Sequence, residues 1–169
     1  MGRYRPPQPK SSIYITAEGF ERLQQESRSI WIRRREVTKA LAAAAAEGDR
    51  SENAEYIYRK KELREIDRRI RYLQKRLPEL KVVDVTPEDS GRIFFGAWVT
   101  LENDAGAEVC YRIVGADEFD PEKGWISIDS PVAKALLKRA VDDEVLVSTP
   151  LGESRYWVIA VSYSDPGNP

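Results

Sequence analysis

The chain has no histidine, one cysteine and one methionine. Without histidine it lacks the commonest general base and the commonest transition-metal ligand, so any chemistry must run on carboxylates or be borrowed from a partner. A single cysteine excludes an internal disulfide and a cysteine zinc site, and it fits a reducing cytoplasm. Cys110 lies between Val109 and Tyr111 in a strand-like run, where a buried, inert thiol is expected. No apolar run is long enough to span a bilayer. The opening MGRYRPPQPKSS is basic and proline-rich without an apolar core. It therefore reads as a disordered tail rather than a secretory signal. Phosphate-cradling glycine loops and nucleophile–base pairs are missing as well. Net charge is only −1 although 33% of the 169 residues are charged, so the two signs lie side by side or are segregated by region. The length allows one large domain or two small ones.

What is present first is a pair of matched seams. Thr16 followed by Ala17-Glu18 is an N-cap signal with an acid in the first turn. From there Phe20, Leu23, Ser27, Ile30, Arg34, Val37, Leu41 and Ala44 alternate spacings of three and four, the pattern of a coiled-coil seam. Glu52, Tyr56, Arg59, Leu63, Ile66, Ile70, Leu73 and Leu77 repeat it. Folded back about Gly48, the seams match position for position, from 44 against 52 to 20 against 77. The numbers of each facing pair add to the same total within one. This predicts an antiparallel helical hairpin, each arm about 45 Å long at ~1.5 Å per residue. Gly48 suits the turn because it tolerates positive φ. No third helix follows to cover the outer faces, so the rod is expected to project. The slim Ala42–Ala46 run has two open readings, close helix packing near the tip or plain helix propensity.

The second half is β-rich. Arg92–Glu102 and Glu108–Val114 read as strands across an Asn103-Asp104-Ala105-Gly106 turn, followed by a strand at Trp125–Ile128. Ser130-Pro131 reads as an N-cap with proline at the first helical position of a helix through Arg139. Glu144–Ser148 and Arg155–Ser162 form a last hairpin. The expected organisation is a tail over 1–12, a coiled-coil hairpin over 13–80, a linker over 81–90 and a small sheet domain with one short helix over 91–165. The fold class is α+β, with a mostly antiparallel sheet. By its own physics the second half is a docking module.

Asp49 and Glu52, at the hairpin's far end, have two open readings. Asp49-Arg50-Ser51-Glu52 has the spacing of a capping box, in which Asp49 caps the second helix and Glu52 bonds back. Alternatively they handle a metal. Two carboxylates cannot hold Mg²⁺ alone, since the ion wants six oxygens, but they can complete a site shared with a partner and a phosphate. Asn53 has an amide for a water or phosphate, and Tyr56 offers a ring for stacking or for packing in the seam. Behind the tip, Arg59, Lys60, Lys61, Arg64, Arg68, Arg69, Arg71, Lys75 and Arg76 crowd the second arm, with Glu62, Glu65 and Asp67 between them. A solvated face with pairing along the helix is one reading. A nucleic-acid backbone passing a positive rod whose tip meets a metal is the other.

Together these blocks resemble the Gre family of bacterial transcript cleavage factors. GDRSENAEY at 48–56 looks like the family's tip motif. The likeness continues through KKELREIDRRIRYL at 60–73, FFGAWVTLEND at 94–104, YRIVGADE at 111–118 and ISIDSPVAKALLK at 126–138, and covers nearly everything after Ile13. Arg50, FFGAW and the dense basic patch look more like the GreB type than the GreA type. The resemblance implies a hairpin plus a β domain similar to a peptidyl-prolyl isomerase. It implies docking of that domain on the rim of the RNA polymerase secondary channel, with the hairpin reaching the active centre. There the tip acids would help hold Mg²⁺ and orient a water, and the polymerase would cut backtracked RNA. By position in the motif, Asp49 and Glu52 take the catalytic and metal role, with Asn53 and Tyr56 as support. Lys60, Lys61, Arg64 and Arg68 take the RNA-binding role, and Asp129, Ser130 and Pro131 the polymerase contact. The Mg²⁺ would belong to the polymerase active centre, with none bound by the isolated protein. The partners implied are bacterial RNA polymerase and the nascent RNA 3′ end, not a membrane, and the chain would act as a cytoplasmic monomer that is not itself an enzyme. Two features depart from the pattern: the tail Met1–Lys10 is long, and Phe119–Gly124 differs from the GreB type. Two other functions remain open at this point, a secondary-channel regulator that cleaves nothing and a prolyl isomerase or chaperone-like module.

Overall fold

The computed structural model describes residues 8–49 and 52–168. In chain order they form β1 (Tyr14–Ile15), α1 (Ala17–Ala46), α2 (Ala54–Arg76), β2 (Lys81–Val82), β3 (Trp98–Asn103), β4 (Glu108–Val114), β5 (Trp125–Ser127), α3 (Pro131–Leu136), β6 (Glu144–Thr149) and β7 (Gly152–Ser162). The chain divides into two compact units, Glu18–Leu80 and the segments on either side of it. No helix among the described residues is long and apolar enough to cross a membrane.

The first unit is the antiparallel hairpin. Leu23, Val37, Ala44, Ile66, Ile70 and Leu73 are buried, and Ile30 and Leu63 pack against the Val37, Ile66 and Ile70 cluster. These are the seam positions read from the sequence, and their burial supplies most of what holds the arms together, about 1.5–3 kcal/mol for each large aliphatic side chain fully removed from water. Ion pairs line the seam's edges. Arg33 bonds Glu62, Arg34 Nε lies 2.7 Å from Asp67 Oδ1, and Arg69 binds both oxygens of Glu26 at 2.6 and 2.9 Å. Half-exposed pairs of this kind are each worth little, about 0.2–1 kcal/mol. Their part is to favour the correct register, because a slipped arm would set like charges against each other.

The second unit is built on a five-stranded sheet of order β5-β4-β3-β7-β6. Three of its four pairings are antiparallel; β4 and β5 run parallel. The parallel pair is the exception in the mostly antiparallel sheet that was expected. The segment after β4 winds through 3-10 turns at Ala116–Glu118 and Pro121–Lys123, and that crossover returns the chain in the same direction. Val99, Leu101, Ile113, Val145, Val147 and Val158 point inward, and Ala133 and Leu136 of α3 close over them. The β3–β7 register shifts between Thr100 and Leu101, a bulge that leaves the consecutive residues Ile159 and Ala160 exposed. Two expected boundaries move. Residues 92–97 form an isolated bridge and turns rather than strand, and α3 stops at Leu136, just before Lys138 takes a positive φ of 68°. Cys110 is exposed, not buried: on β4 it sits opposite Thr100, with half-buried Val109 and Tyr111 on either side, so the alternation of the strand turns its side chain outward.

The sequence assigned 13–17 to the hairpin and 81–90 to a linker. The structure instead puts both β1 and β2 in the sheet-bearing unit, where they pair in parallel, Tyr14 with Lys81 and Ile15 with Val82. Ile15 is fully buried. The buried Glu118 carboxylate accepts the Thr16 N–H at 3.0 Å, the Gly115 N–H at 2.8 Å and the Thr16 hydroxyl. A buried carboxylate is tolerated because donors surround it. Of the expected disordered tail, residues 1–7 lie outside those described, while Ser12 N–H donates to Asp129 Oδ2 at 2.8 Å.

Gly115 is required for this arrangement. A Cβ there would stand 2.2 Å from the Tyr14 carbonyl oxygen, a backbone atom with nowhere to go. Gly115→Ala is expected to cost about 1–3 kcal/mol, read as a lower denaturant midpoint, whereas Gly106→Ala, with open space beside it, is strained only by its positive φ.

Candidate functional site

The hairpin turn is the most distinctive chemical feature of the helical unit. α1 ends at Ala46, and Gly48 carries the bend at φ 128°. Asp49 and Glu52 are both exposed in the turn; Arg50, counted above toward the GreB type, and Ser51 lie outside the described residues. α2 begins at Ala54 with Asn53 as its N-cap. The Asn53 Oδ1 accepts the Tyr56 N–H at 3.1 Å, and its Nδ2 donates to the Ala44 carbonyl at 2.7 Å.

This overturns the capping-box reading of Asp49 and Glu52. Glu52 precedes the cap instead of occupying the third helical position, and Asp49 is further away still. Asparagine wins the position because it both accepts and donates. One side chain satisfies an unpaired N–H at the start of α2 and an end carbonyl of α1; a carboxylate could do only the first. Sequence reasoning missed this, and the signal was the amide itself at the first residue of the helical pattern. Each end of the Asn53 amide makes one bond to backbone, which leaves one N–H and one lone pair for a water or phosphate. Ala44, buried at 3% exposure, is slim enough for that approach, which favours the close-packing reading of the alanine run.

Behind the turn, Tyr56 is half-buried, with Lys60 Nζ 5.8 Å from its ring centroid. Lys60, Lys61, Arg64 and Arg68 are all exposed, and 61, 64 and 68 lie on one stripe of α2. Among the described residues no ion pair engages those three, whereas Arg33, Arg34, Arg59, Arg69 and Arg76 are held by acids. The basic crowd thus sorts into a structural set and an available set. Burial pushes the Glu62 carboxyl up, but bonds from Arg33 and Arg59 outweigh it and hold the group below its ordinary value. The same contacts raise Arg59, through Glu55 first and then Glu62.

Asp129, Ser130 and Pro131 stand in the other unit, at the start of α3. Ser130 Oγ caps that helix by accepting the Ala133 N–H at 3.1 Å, Pro131 occupies the first turn, and Asp129 accepts from Ser12. The structure gives all three a local role in shaping this corner. Among the described residues no group of three or more acids or cysteines is placed to hold a metal. Two carboxylates offer only part of an octahedral shell.

A charged helical hairpin with an acidic turn and a separate unit built on a mixed sheet define a two-part architecture. The family model described as "Transcription elongation factor, N-terminal" matches residues 13–82, and that described as "Transcription elongation factor, GreA/GreB, C-term" matches 88–163. The chain belongs to the GreA/GreB family of transcription elongation factors. It is 58% identical over 166 residues to transcription elongation factor GreB of Xanthomonas axonopodis pv. citri (strain 306), covering 97% of this chain and 99% of that one. To GreB of Pasteurella multocida (strain Pm70) it is 61% identical over 142 residues, covering 83% and 90%. Among solved structures it is similar to GreA factor homolog 1 (Gfh1) of Thermus thermophilus, at 29% identity and a TM-score of 0.40, covering 89% of this chain and 99% of that one.

Two outcomes check this geometry. Asn53→Ala is expected to cost about 1–2 kcal/mol in thermal unfolding of the hairpin. Asn53→Asp, which keeps the acceptor but loses the donor, is expected to cost less. Because the folded pKa of Glu62 is depressed, its contribution is present above the unfolded carboxylate pKa, about 4.3, and is lost as pH falls through the lower folded value. Glu62→Gln is expected to flatten that part of an acid-unfolding curve followed by helicity.

Proposed function

We propose that this chain enters the RNA polymerase secondary channel and stimulates endonucleolytic cleavage of the nascent RNA 3′ end in backtracked complexes. Asp49 and Glu52 lend their carboxylates to an Mg²⁺ ion of the polymerase active centre. The observation that carries this is the division of labour at the turn. Asn53 performs the capping, so neither acid is part of the helix start, and both are exposed at the end of the hairpin. Family membership and GreB relatives at 58% identity and above support the partner.

The metal supplies charge stabilisation and an activated water when bound. This chain's residues do the rest. Asp49 and Glu52 bring negative charge to an ion that already has other ligands, and can accept a hydrogen bond from the attacking water and so orient it. Gly48 and Asn53 fix where the turn presents them. Lys60, Lys61, Arg64 and Arg68 offer cations to the phosphates of extruded RNA. Asp129, Ser130 and Pro131 supply the corner that meets polymerase. The polymerase remains the enzyme. The seam is satisfied within the chain, which supports action as a monomer, in the cytoplasm where the polymerase works.

The test is a gel of 5′-labelled RNA in a stalled, backtracked polymerase complex with Mg²⁺. Wild-type protein is expected to shorten the RNA rapidly. Asp49→Asn with Glu52→Gln is expected to lose that activity while unfolding within about 0.5 kcal/mol of wild type. Binding without shortening by the wild type would make the chain a channel regulator instead.

A further inference from the structure

The outer face of the five-stranded sheet carries a cross-strand pattern that neither the core nor the hairpin turn uses. α3 closes over the inner face. On the opposite face the strand register sets the side chains out in rows. In one row the Arg112 guanidinium carbon lies 5.1 Å from the Trp98 ring centroid and 5.0 Å from that of Trp125. The next row is slim: Thr100 stands between Cys110 and Ala160, and those two are exposed. Beyond it Glu102 stands between Glu108 and half-buried Trp157, and Trp157 faces Glu144. Glu144 is answered by Arg155 at 3.0 Å, whereas among the described residues no ion pair engages Glu102 or Glu108. Like charges directly opposite on paired strands are unfavourable, so this row has an unmet demand for cations.

We propose that the chain's own basic, proline-rich segment, residues 3–9, docks along this face, with Arg3 and Arg5 on Glu102 and Glu108 and the prolines over the slim row. Charge, length and stiffness favour that occupant. The chain ahead of Glu18 holds Arg3, Arg5 and Lys10 and no acid. Its near end is fixed, because the Ser12 N–H is held by Asp129 just past the end of β5. From Val114, which faces Ser127 of β5, to Glu108 is six residues of β4, about 20 Å at ~3.3 Å each. Counted back from Ser12, Arg5 is seven residues away and Arg3 nine. That is about 22 and 28 Å in the ~3.1 Å rise of a polyproline helix. Pro6, Pro7 and Pro9 favour this extended form before docking, which reduces the entropy lost on docking. In this register the uncharged stretch from Pro6 to Pro9 passes the cationic row, and the two arginines meet the glutamates. A tether this short also holds the segment at an effective concentration on the order of millimolar, which a basic segment of a separate molecule lacks. The docking is independent of transcript cleavage.

Cys110, the chain's one cysteine, stands in the slim row and reports whether that row is covered. Its rate of alkylation by iodoacetamide, a neutral reagent, is followed in the full-length protein by mass spectrometry. Arg3→Glu with Arg5→Glu is expected to speed alkylation about twofold or more, twofold being the gain when the segment is docked half the time. Glu102→Lys with Glu108→Lys is expected to speed it as well. All four changes together restore opposite charges and are expected to slow the reaction again. The four-change variant is compared with the two-lysine variant, because the charges beside Cys110 on the sheet are then the same. Helicity and melting temperature serve as the folding check, and if the two-lysine variant does not fold, the Arg3→Glu with Arg5→Glu variant still decides. Alkylation of that variant at the wild-type rate overturns the proposal. So does a four-change variant as fast as the two-lysine variant. A wild-type rate that falls as protein concentration rises also overturns it, since the occupant would then be the segment of a second copy.

Discussion

The double hydrogen bond of Asn53 is the constraint on which the functional reading depends. A helical hairpin must satisfy an excess of N–H groups where one arm starts and of C=O groups where the other ends. Here a single amide answers part of each demand, bonding Tyr56 N–H and the Ala44 carbonyl. That locks the two ends to each other at the narrowest point of the hairpin, where the seam has run out of large apolar side chains. It also makes the cap of α2 a neutral group, with Asp49 and Glu52 exposed in the turn before it.

The same economy appears in the charges along the arms. A hairpin with so many arginines and lysines would repel itself if none were matched. Cross-arm pairs with Glu26, Glu62 and Asp67 use some of the cations to fix register, and among the described residues no ion pair engages Arg28, Arg35, Arg64 or Arg71. Each pair alone adds little. The consequence lies in the pattern, one flank that is electrically quiet and one that is strongly positive, on a chain whose total is −1.

The hairpin was legible because its seam is a repeating signal written twice in opposite directions, and Ile30, Val37, Leu63, Ile66 and Ile70 sit where that signal put them. β4 was legible from its β-branched run, and the α3 cap from Ser130-Pro131. Features set by distant partners were not. The parallel seat of β5 depends on how residues 115–124 wind, and nothing near Trp125 encodes direction. Cys110 was placed inside on residue type, whereas strand parity turned it outward. The capping box failed through competition, since Asp49-x-x-Glu52 has the right spacing and loses to a better cap one residue beyond Glu52. Glu118 reads locally as a surface acid; its ligand, Thr16, lies a hundred residues away in sequence.

The pairing of β1 with β2 makes the sheet-bearing unit discontinuous along the chain, interrupted by the whole of Glu18–Leu80. As the polypeptide leaves the ribosome, α1 and α2 have each other as soon as Leu80 is made. β1 has emerged before either, yet Thr16 and Ile15 have no seat until Glu118 and the strands around it follow. Local contacts form early and long-range ones late, so the first residues synthesised are among the last to settle. A nascent chain halted between Leu80 and Glu118 would carry a finished hairpin and an unfinished sheet-bearing unit. The inserted unit would then be complete before the unit whose chain it interrupts.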